Sequence, residues 1–125
     1  MLCLVGDGGL LLNVGELATL VQEKANVLII LMNDGGYGVI RNIQDAHFGA
    51  RHYFVDLHNP DFAMLAKSLG LPHACVTDMD RLHAPLAELM AYKGPAMLEI
   101  DMFKVGPFAA AYAGPPDGKA VKAGA

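Results

Sequence analysis

Two stretches of the chain decide its fold, and each is a short apolar run followed by acidic and glycine residues: Leu2-Cys3-Leu4-Val5-Gly6-Asp7-Gly8-Gly9 and Val27-Leu28-Ile29-Ile30-Leu31-Met32-Asn33-Asp34-Gly35-Gly36-Tyr37-Gly38. The apolar runs predict buried parallel strands over Leu2–Val5 and Val27–Met32, with a helix over Asn13–Ala25 between them. A right-handed crossover brings the carboxyl ends of both strands to one edge of the sheet. We therefore expect Asp7 and Asp34 to converge there.

The residue types at these strand ends are those that bind a hard cation and a phosphate group. Mg²⁺ is usually held by one or two carboxylates together with phosphate oxygens. Because glycine has no Cβ, the backbone at Gly8, Gly9, Gly35 and Gly36 can approach a diphosphate closely. The helix that follows Gly9 can direct free N–H groups at that anion. The alternative is that these residues only end strands and form turns.

The two motifs together resemble the thiamine diphosphate-binding motif, in which Gly-Asp-Gly is followed, after a helix and a strand, by Asn-Asn. Here Gly6-Asp7-Gly8 is followed by Asn33-Asp34. The segment Glu16-Leu17-Ala18-Thr19 is similar to the acetolactate synthase and benzoylformate decarboxylase branch of that family. The resemblance runs from Leu2 to about Pro116.

The resemblance implies a set of binding residues. Mg²⁺ would bind Asp7, Asp34 and the backbone carbonyl of Gly36, and would bridge to the diphosphate of thiamine diphosphate. The implied cofactor-binding residues are Gly6, Asp7, Gly8, Gly9, Asn33, Asp34, Gly36, Tyr37 and Gly38. Asp34 departs from the family pattern, which usually has asparagine. A carboxylate still ligates Mg²⁺, but it adds negative charge beside the diphosphate, where it bears on cofactor affinity and metal preference.

Alternating strands and helices predict an α/β fold, a doubly wound parallel sheet with helices on both faces. After the second motif, the pattern predicts a short helix over Val39–Gln44, a helix over Asp61–Leu69, a strand over His73–Val76, a helix over Arg81–Tyr92 and a strand over Ala96–Ile100. We expect a cofactor-binding domain over residues 1–105 and a tail rich in Gly, Pro and Ala over 106–125. The resemblance implies that a further strand and helix, and two further domains, precede this region, so the chain is expected to be a fragment.

Helix caps are predicted at three positions. Asn13 can cap the first helix, with Glu16 completing a capping box. Asn59 can cap the helix that begins near Asp61, with proline in its first turn. Gly70 is expected to end that helix.

Composition limits the possible function classes. The 125 residues are 54% hydrophobic and carry a net charge of −4, which fits one compact core and offers no basic stripe for nucleic acid. The apolar start is too short for a signal peptide or a membrane segment. Cys3 and Cys75 lie in apolar runs, which predicts buried thiols and a reducing cytoplasm. The methionines of apolar runs, Met32, Met64 and Met97, are predicted core residues.

The sequence gives weaker support for other kinds of binding site. A dinucleotide fingerprint would need glycine where Leu11 stands, and the first loop has no Walker lysine. His47, His52 and His58 do not have zinc spacing, and we interpret them as solvated. Arg41 and Arg51 could bind a substrate carboxylate or lie on the surface.

Three functional hypotheses follow. In the first, the chain is the diphosphate-binding part of a 2-oxo acid decarboxylase or acetolactate synthase-like lyase or transferase. In the second, it is a non-catalytic binding module, working as a homo-oligomer or with a partner subunit that carries the pyrimidine-binding domain. The resemblance places the activating glutamate in that other domain, so no catalytic residue is assigned here and Glu16 is interpreted as a cap. The third is an unrelated α/β fold that binds another phosphate ligand.

Overall fold

The computed structural model describes residues 1–106, and within them strands and helices alternate. The elements, in chain order, are β1 (Leu2–Gly6), α1 (Asp7–Leu12), α2 (Glu16–Gln22), β2 (Leu28–Asn33), α3 (Gly38–His47), α4 (Phe62–Leu69), β3 (His73–Val76), a 3₁₀ turn (Met79–Arg81), α5 (His83–Ala91), β4 (Ala96–Asp101) and α6 (Met102–Val105). The predicted tail, apart from Gly106, lies outside the described residues, and the predicted domain limit at residue 105 stays a prediction.

The four strands form one parallel sheet in the order β1-β2-β4-β3. In the register, Gly6 at the end of β1 lies opposite Met32 of β2, and Asn33 lies opposite Asp101 of β4. The chain therefore leaves β1, β2 and β4 at one edge of the sheet. This edge is where open α/β sheets bind ligands.

Helices cover both faces of the sheet, as predicted. On one face, Ile29, Leu31 and Met97 pack in a cluster with residues of α1, α2 and α4. On the other face, the alternate residues of β2 and β4 pack with α5 and α6. Successive side chains of a strand point to opposite faces. The result is the doubly wound α/β architecture that the sequence predicted.

The bounds predicted for the helix over Asn13–Ala25 are wrong, because the helix in this range, α2, spans only Glu16–Gln22 and a separate helix precedes it. That separate helix, α1, begins directly at Asp7 and includes both glycines of the first motif. Asn13 ends α1, and Gly15 precedes α2 without any side-chain cap, so the predicted capping box of Asn13 and Glu16 is also wrong. Leu10 of α1 and Leu17 of α2 are buried in the same core cluster, so both helices pack on one face of the sheet.

The cap predicted at Asn59 is wrong as well. Asp61 caps α4 by accepting a hydrogen bond from the Met64 amide at 2.9 Å. Asp61 stands immediately before the first helical residue, which is the position an N-cap requires, and Asn59 is thereby free for another role. Gly70 ends α4 with a φ of 69°, as predicted.

Three further predictions of burial are wrong, and the first of them concerns the edge strand β1. Its predicted burial fails because Leu2 and Leu4 are 58% and 72% exposed. Both cysteines are exposed, Cys3 on this edge and Cys75 on β3 at the opposite edge. Met64 is exposed on α4, although it lies in an apolar run. Over residues 1–106, every helix is too short or too polar to cross a membrane.

Candidate functional site

Asp7 is the most deeply enclosed residue at the carboxyl edge of the sheet. Its side chain is fully buried, and its Oδ1 accepts the Gly8 amide at 2.8 Å. Its Oδ2 accepts the Gly36 amide at 3.1 Å and the side-chain amide of Asn59 at 2.5 Å. A carboxylate offers about four lone-pair positions. Three donors leave one position free, which is sufficient for one bond to a cation.

Asp34 lies beside Asp7, as the crossover argument predicts. Its side chain is half-buried, and burial together with the negative charge of Asp7 raises the pKa of the Asp34 carboxyl. The positive charge of Arg41 and a backbone hydrogen bond from Gly36 act in the opposite direction. Two carboxylates that repel each other at a strand edge are a favourable place for a divalent cation.

Gly36 joins the two acidic residues through its backbone. It forms an isolated antiparallel bridge with Asp56, in which the Tyr37 amide donates to the Val55 carbonyl and the Leu57 amide donates to the Gly35 carbonyl, both at 2.8 Å. In extended backbone the N–H and C=O of one residue point to the same side. Because the Gly36 N–H points at Asp7, its carbonyl oxygen also lies on the side of the carboxylates, as a third oxygen ligand would.

Two positions of the second loop require glycine, because neighbouring atoms lie where a Cβ would stand. A Cβ on Gly36 would collide with the Val55 carbonyl and lie 2.6 Å from Nη2 of Arg41. A Cβ on Gly38 would collide with Oδ2 of Asp34. The loop therefore brings backbone and carboxylate together more closely than a side chain would permit.

A cavity of about 580 Å³ opens next to these groups. Seven of the nine predicted cofactor-binding residues line it, namely Gly6, Gly8, Gly9, Asp34, Gly36, Tyr37 and Gly38. The other two, Asp7 and Asn33, lie behind that wall and are held by hydrogen bonds. The structure thus gathers the predicted residues in one place, and their binding of a cofactor or metal stays a prediction. The volume fits a small-molecule site.

Several lining residues were not predicted from the sequence. Met102 and Phe103 of α6 line the cavity, together with Val39 and Ile40 of α3. No sequence signal marked α6, which follows β4 without a turn motif. These side chains give the cavity an apolar wall, and Phe103 lies next to Gly35 of the second loop.

The two candidate arginines have separate positions. Arg41 lines the cavity and donates from Nη2 to Oδ1 of Asp56 at 2.9 Å. Arg51 lies outside the cavity, where its Nε donates to the Phe48 carbonyl at 2.9 Å. Only Arg41 is therefore placed to meet a bound anion.

The predicted histidines do not contribute to this site. His47, His52 and His58 are exposed, and Nε2 of His52 lies 2.6 Å from Oδ1 of Asp45. Over residues 1–106, no group of three or more His, Cys, Asp and Glu side chains is arranged to hold a metal ion. A metal in this part of the chain would therefore depend on two carboxylates and a backbone carbonyl, with other ligands from outside the protein.

The sequence did not indicate how Asp7 is supported. Asn59 bridges Asp7 to Oδ1 of Asn33 at 2.8 Å, and Asn33 donates to Oε1 of Glu99 at 2.7 Å. Glu99 in turn lies 3.0 Å from Nε2 of His73. These residues are distant in the sequence and follow no spacing rule. The charge of Glu99 within the apolar run from Ala96 to Ile100 was the one available signal.

Comparison with known proteins gives consistent matches. Residues 1–100 match the family described as thiamine pyrophosphate enzyme, C-terminal TPP binding domain. The chain is 31% identical over 102 residues to the acetolactate synthase large subunit of Parasynechococcus marenigrum, covering 80% of this chain and 16% of that protein. It is 31% identical over 103 residues to the acetolactate synthase isozyme 2 large subunit of Escherichia coli, covering 82% and 19%. It is also 31% identical over 102 residues to the mitochondrial acetolactate synthase catalytic subunit of Saccharomyces cerevisiae, covering 82% of this chain and 15% of that protein. The chain thus spans less than a fifth of the length of these relatives.

Proposed function

Because the chain belongs to the thiamine pyrophosphate enzymes, as their C-terminal TPP-binding domain, we propose that its glycine-lined cavity binds the diphosphate of thiamine diphosphate through Mg²⁺. Asp7, Asp34 and the Gly36 carbonyl would hold the ion. The observation that carries the proposal is the hydrogen bond from the Gly36 amide to the buried Asp7 carboxylate, which joins the two acidic loops at one point.

The donor set supports a hard cation. Mg²⁺ prefers oxygen ligands, and it is usually bound by one or two carboxylates plus substrate phosphates. Three donors leave Asp7 one lone-pair position, Asp34 and Gly36 both line the cavity, and the Gly36 carbonyl would complete the oxygen ligands of the protein. Phosphate oxygens and water would supply the other ligands of the ion.

Other residues of the chain would shield the bound thiamine diphosphate from water and balance charge beside its diphosphate. Tyr37 and the apolar wall of α3 and α6 would exclude water from one side of the cavity. Arg41 would partly neutralise the second carboxylate, whose charge otherwise repels a diphosphate. When bound, thiamine diphosphate supplies a nucleophilic carbon for attack on the carbonyl of a 2-oxo acid.

We propose further that the activity is acetolactate synthase-like carboligation or decarboxylation of a 2-oxo acid, performed together with a pyrimidine-binding domain from elsewhere. The chain has four glutamates, Glu16, Glu23, Glu88 and Glu99. None of them is among the described residues that line the cavity. The chain would then anchor the cofactor, and a partner subunit or a second copy would complete the site. This same observation favours the second candidate function, a binding module that is inactive alone.

Calorimetric titration tests the binding proposal. We expect thiamine diphosphate to bind the 125-residue chain in Mg²⁺ and to lose that binding in EDTA, while thiamine, which lacks phosphate, does not bind in either buffer. Binding that is indifferent to EDTA, or no binding in Mg²⁺, would refute the metal-bridged site. A pyruvate decarboxylation assay then separates the two candidate functions when the chain is mixed with a subunit that carries the pyrimidine-binding domain. Turnover in the mixture supports the enzyme part, and no turnover supports the non-catalytic module.

A further inference from the structure

A line of side-chain hydrogen bonds leads from Asp7 away from the cavity and into the sheet. Asn59 Nδ2 donates to Oδ2 of Asp7 and, at 2.8 Å, to Oδ1 of Asn33. Asn33 Nδ2 donates to Oε1 of Glu99 at 2.7 Å, and Oε2 of Glu99 lies 3.0 Å from Nε2 of His73. The line therefore connects the loop before α4 with β2, β4 and β3.

The orientation of both amides in this line is fixed by the carboxylates at its ends. An ionised carboxylate accepts hydrogen bonds and donates none. Asn33 must therefore turn its NH₂ group to Glu99, which leaves its oxygen facing Asn59. Asn59 must then present its own NH₂ group, whose second hydrogen reaches Asp7. Turning either amide over would set oxygen against oxygen.

This fixed arrangement of hydrogen bonds destabilises the fold in two places, which indicates that it serves a function. Oδ1 of Asn59 is buried and has no hydrogen-bond partner within the described residues. Glu99 is 8% exposed, has apolar neighbours on both sides in β4, and lines no part of the cavity. Buried charges and unmatched polar atoms destabilise a fold unless they are paired. The hydrogen bond from His73 lowers the pKa of Glu99, so the far end of the line remains a pure acceptor.

We propose that Asn59, Asn33, Glu99 and His73 form a positioning relay that orients the Asp7 carboxylate toward the metal, an inference that rests on the proposed function. With Oδ1 on Gly8 and Oδ2 on Gly36 and Asn59, Asp7 cannot rotate, and its free lone pair keeps one direction. Residues that orient a ligating side chain typically change metal affinity by about 10–100-fold when they are lost.

The experiment measures Mg²⁺ affinity of the full 125-residue chain by calorimetry in saturating thiamine diphosphate. We expect Asn59→Ala and Glu99→Met to weaken Mg²⁺ binding by about 10–100-fold. Glu99→Gln is the conservative variant, because its amide oxygen can still accept from Asn33, and it should retain most of the affinity. Leu89→Ala is the control, because it removes buried side-chain volume on the face of the sheet that carries α5. It should lower the melting temperature without changing Mg²⁺ affinity, which separates positioning from general stability.

A second readout keeps the inference separate from the proposed function. The side-chain amide signals of Asn59 in a ¹⁵N NMR spectrum, without metal or cofactor, should shift in Glu99→Gln and not in Leu89→Ala. If the wild-type chain fails to bind Mg²⁺, the proposed function fails, and the Asn59 signals alone decide whether the relay exists. Unmoved Asn59 signals in Glu99→Gln, or unchanged Mg²⁺ affinity in folded Glu99→Met, would overturn the relay. If Asn59→Ala does not fold, the two Glu99 variants carry the test.

Discussion

The two acidic loops at the edge of the sheet hold their carboxylates in opposite ways. In the first loop, the name kept for residues 6–9 where β1 passes directly into α1, Asp7 is fully buried and accepts three N–H donors. In the second loop, residues 33–38, Asp34 is half-buried, faces the cavity and has its pKa raised by burial and by Asp7. One carboxylate is stabilised by the protein, and the other is partly destabilised by it.

This difference suggests a division of roles within one site. A carboxylate that is satisfied by fixed donors has its position set before any ligand arrives, as preorganisation requires. A carboxylate that is repelled by its neighbour gains the most when a cation arrives. The first loop would therefore define where the metal binds, and the second would tune how strongly it binds. The predictions below test that division, from the largest expected effect to the smallest.

The largest effect is expected for Asp7→Ala. The substitution leaves the donors of Gly8, Gly36 and Asn59 without their acceptor, and each orphaned buried group costs roughly 1–3 kcal/mol. We expect a loss of more than about 3 kcal/mol in the free energy of unfolding by urea, and no Mg²⁺-dependent binding of thiamine diphosphate. Asp80→Ala, at an exposed aspartate that does not line the cavity, is the control. If Asp7→Ala binds the cofactor like wild type, Asp7 is only a turn residue.

A smaller loss of stability is expected for Gly36→Ala, where the second loop packs against the backbone of Val55. Gly36→Ala places a methyl group against the Val55 carbonyl, and we expect a loss of about 1–3 kcal/mol in unfolding free energy. Gly15→Ala is the matched control, since a Cβ there meets nothing within 4 Å and the backbone is already helical at φ −60°. That change should stabilise the chain by about 0.4–1 kcal/mol. Equal effects of the two changes would show that close approach does not constrain the second loop.

Much of this site follows from local rules that a sequence displays. The apolar runs, the glycines and the rule that parallel strands end at one edge are sufficient to bring Asp7 and Asp34 together. The order of the strands beyond the first pair, and the loss of burial on edge strand β1, depend on what else joins the sheet. No local pattern around Leu2, Leu4 or Cys3 carries that information, so their exposure could not be predicted.

The supports of the site were harder to predict than its ligands. Asn59 stands beside Pro60 and near the start of α4, where a local rule favours a helix cap, but Asp61 satisfies that role at shorter range. The partners of Asn59 are 52 and 26 residues away. Long-range hydrogen bonds of this kind leave no periodicity in the sequence. A buried charge such as Glu99 is the only trace, since it needs a partner that the strand itself cannot provide.

A pH series tests the support behind the first loop. The pKa of Glu99 is lowered from its ordinary 4.5, chiefly by the hydrogen bond from His73. A lowered carboxyl pKa gives stability that is present above the unfolded value and is lost as pH falls through the folded value. Wild type should therefore exceed Glu99→Gln by about 1 kcal/mol at pH 6–7, and the difference should shrink below pH 4.5. Urea unfolding at each pH provides the values, and Glu88→Gln, at an exposed residue of α5, is the control. A difference that stays constant down to acid pH would show that charge on Glu99 is not involved.

The smallest effect is expected for Asp34→Asn, compared with the same change at Asp7. At position 34 the amide oxygen can still coordinate Mg²⁺, and the change removes one negative charge beside both the diphosphate and Asp7. The loss of attraction to the cation opposes that gain, and Arg41 already offsets part of the charge. We expect thiamine diphosphate affinity at fixed Mg²⁺ to change by less than about 1 kcal/mol, or about fivefold, in either direction. Asp7→Asn keeps the shape but turns an NH₂ group toward N–H donors that need an acceptor, so its loss should be much larger. Equal losses in the two asparagine variants would mean that both loops hold the metal in the same way, and the division between them would have to be given up.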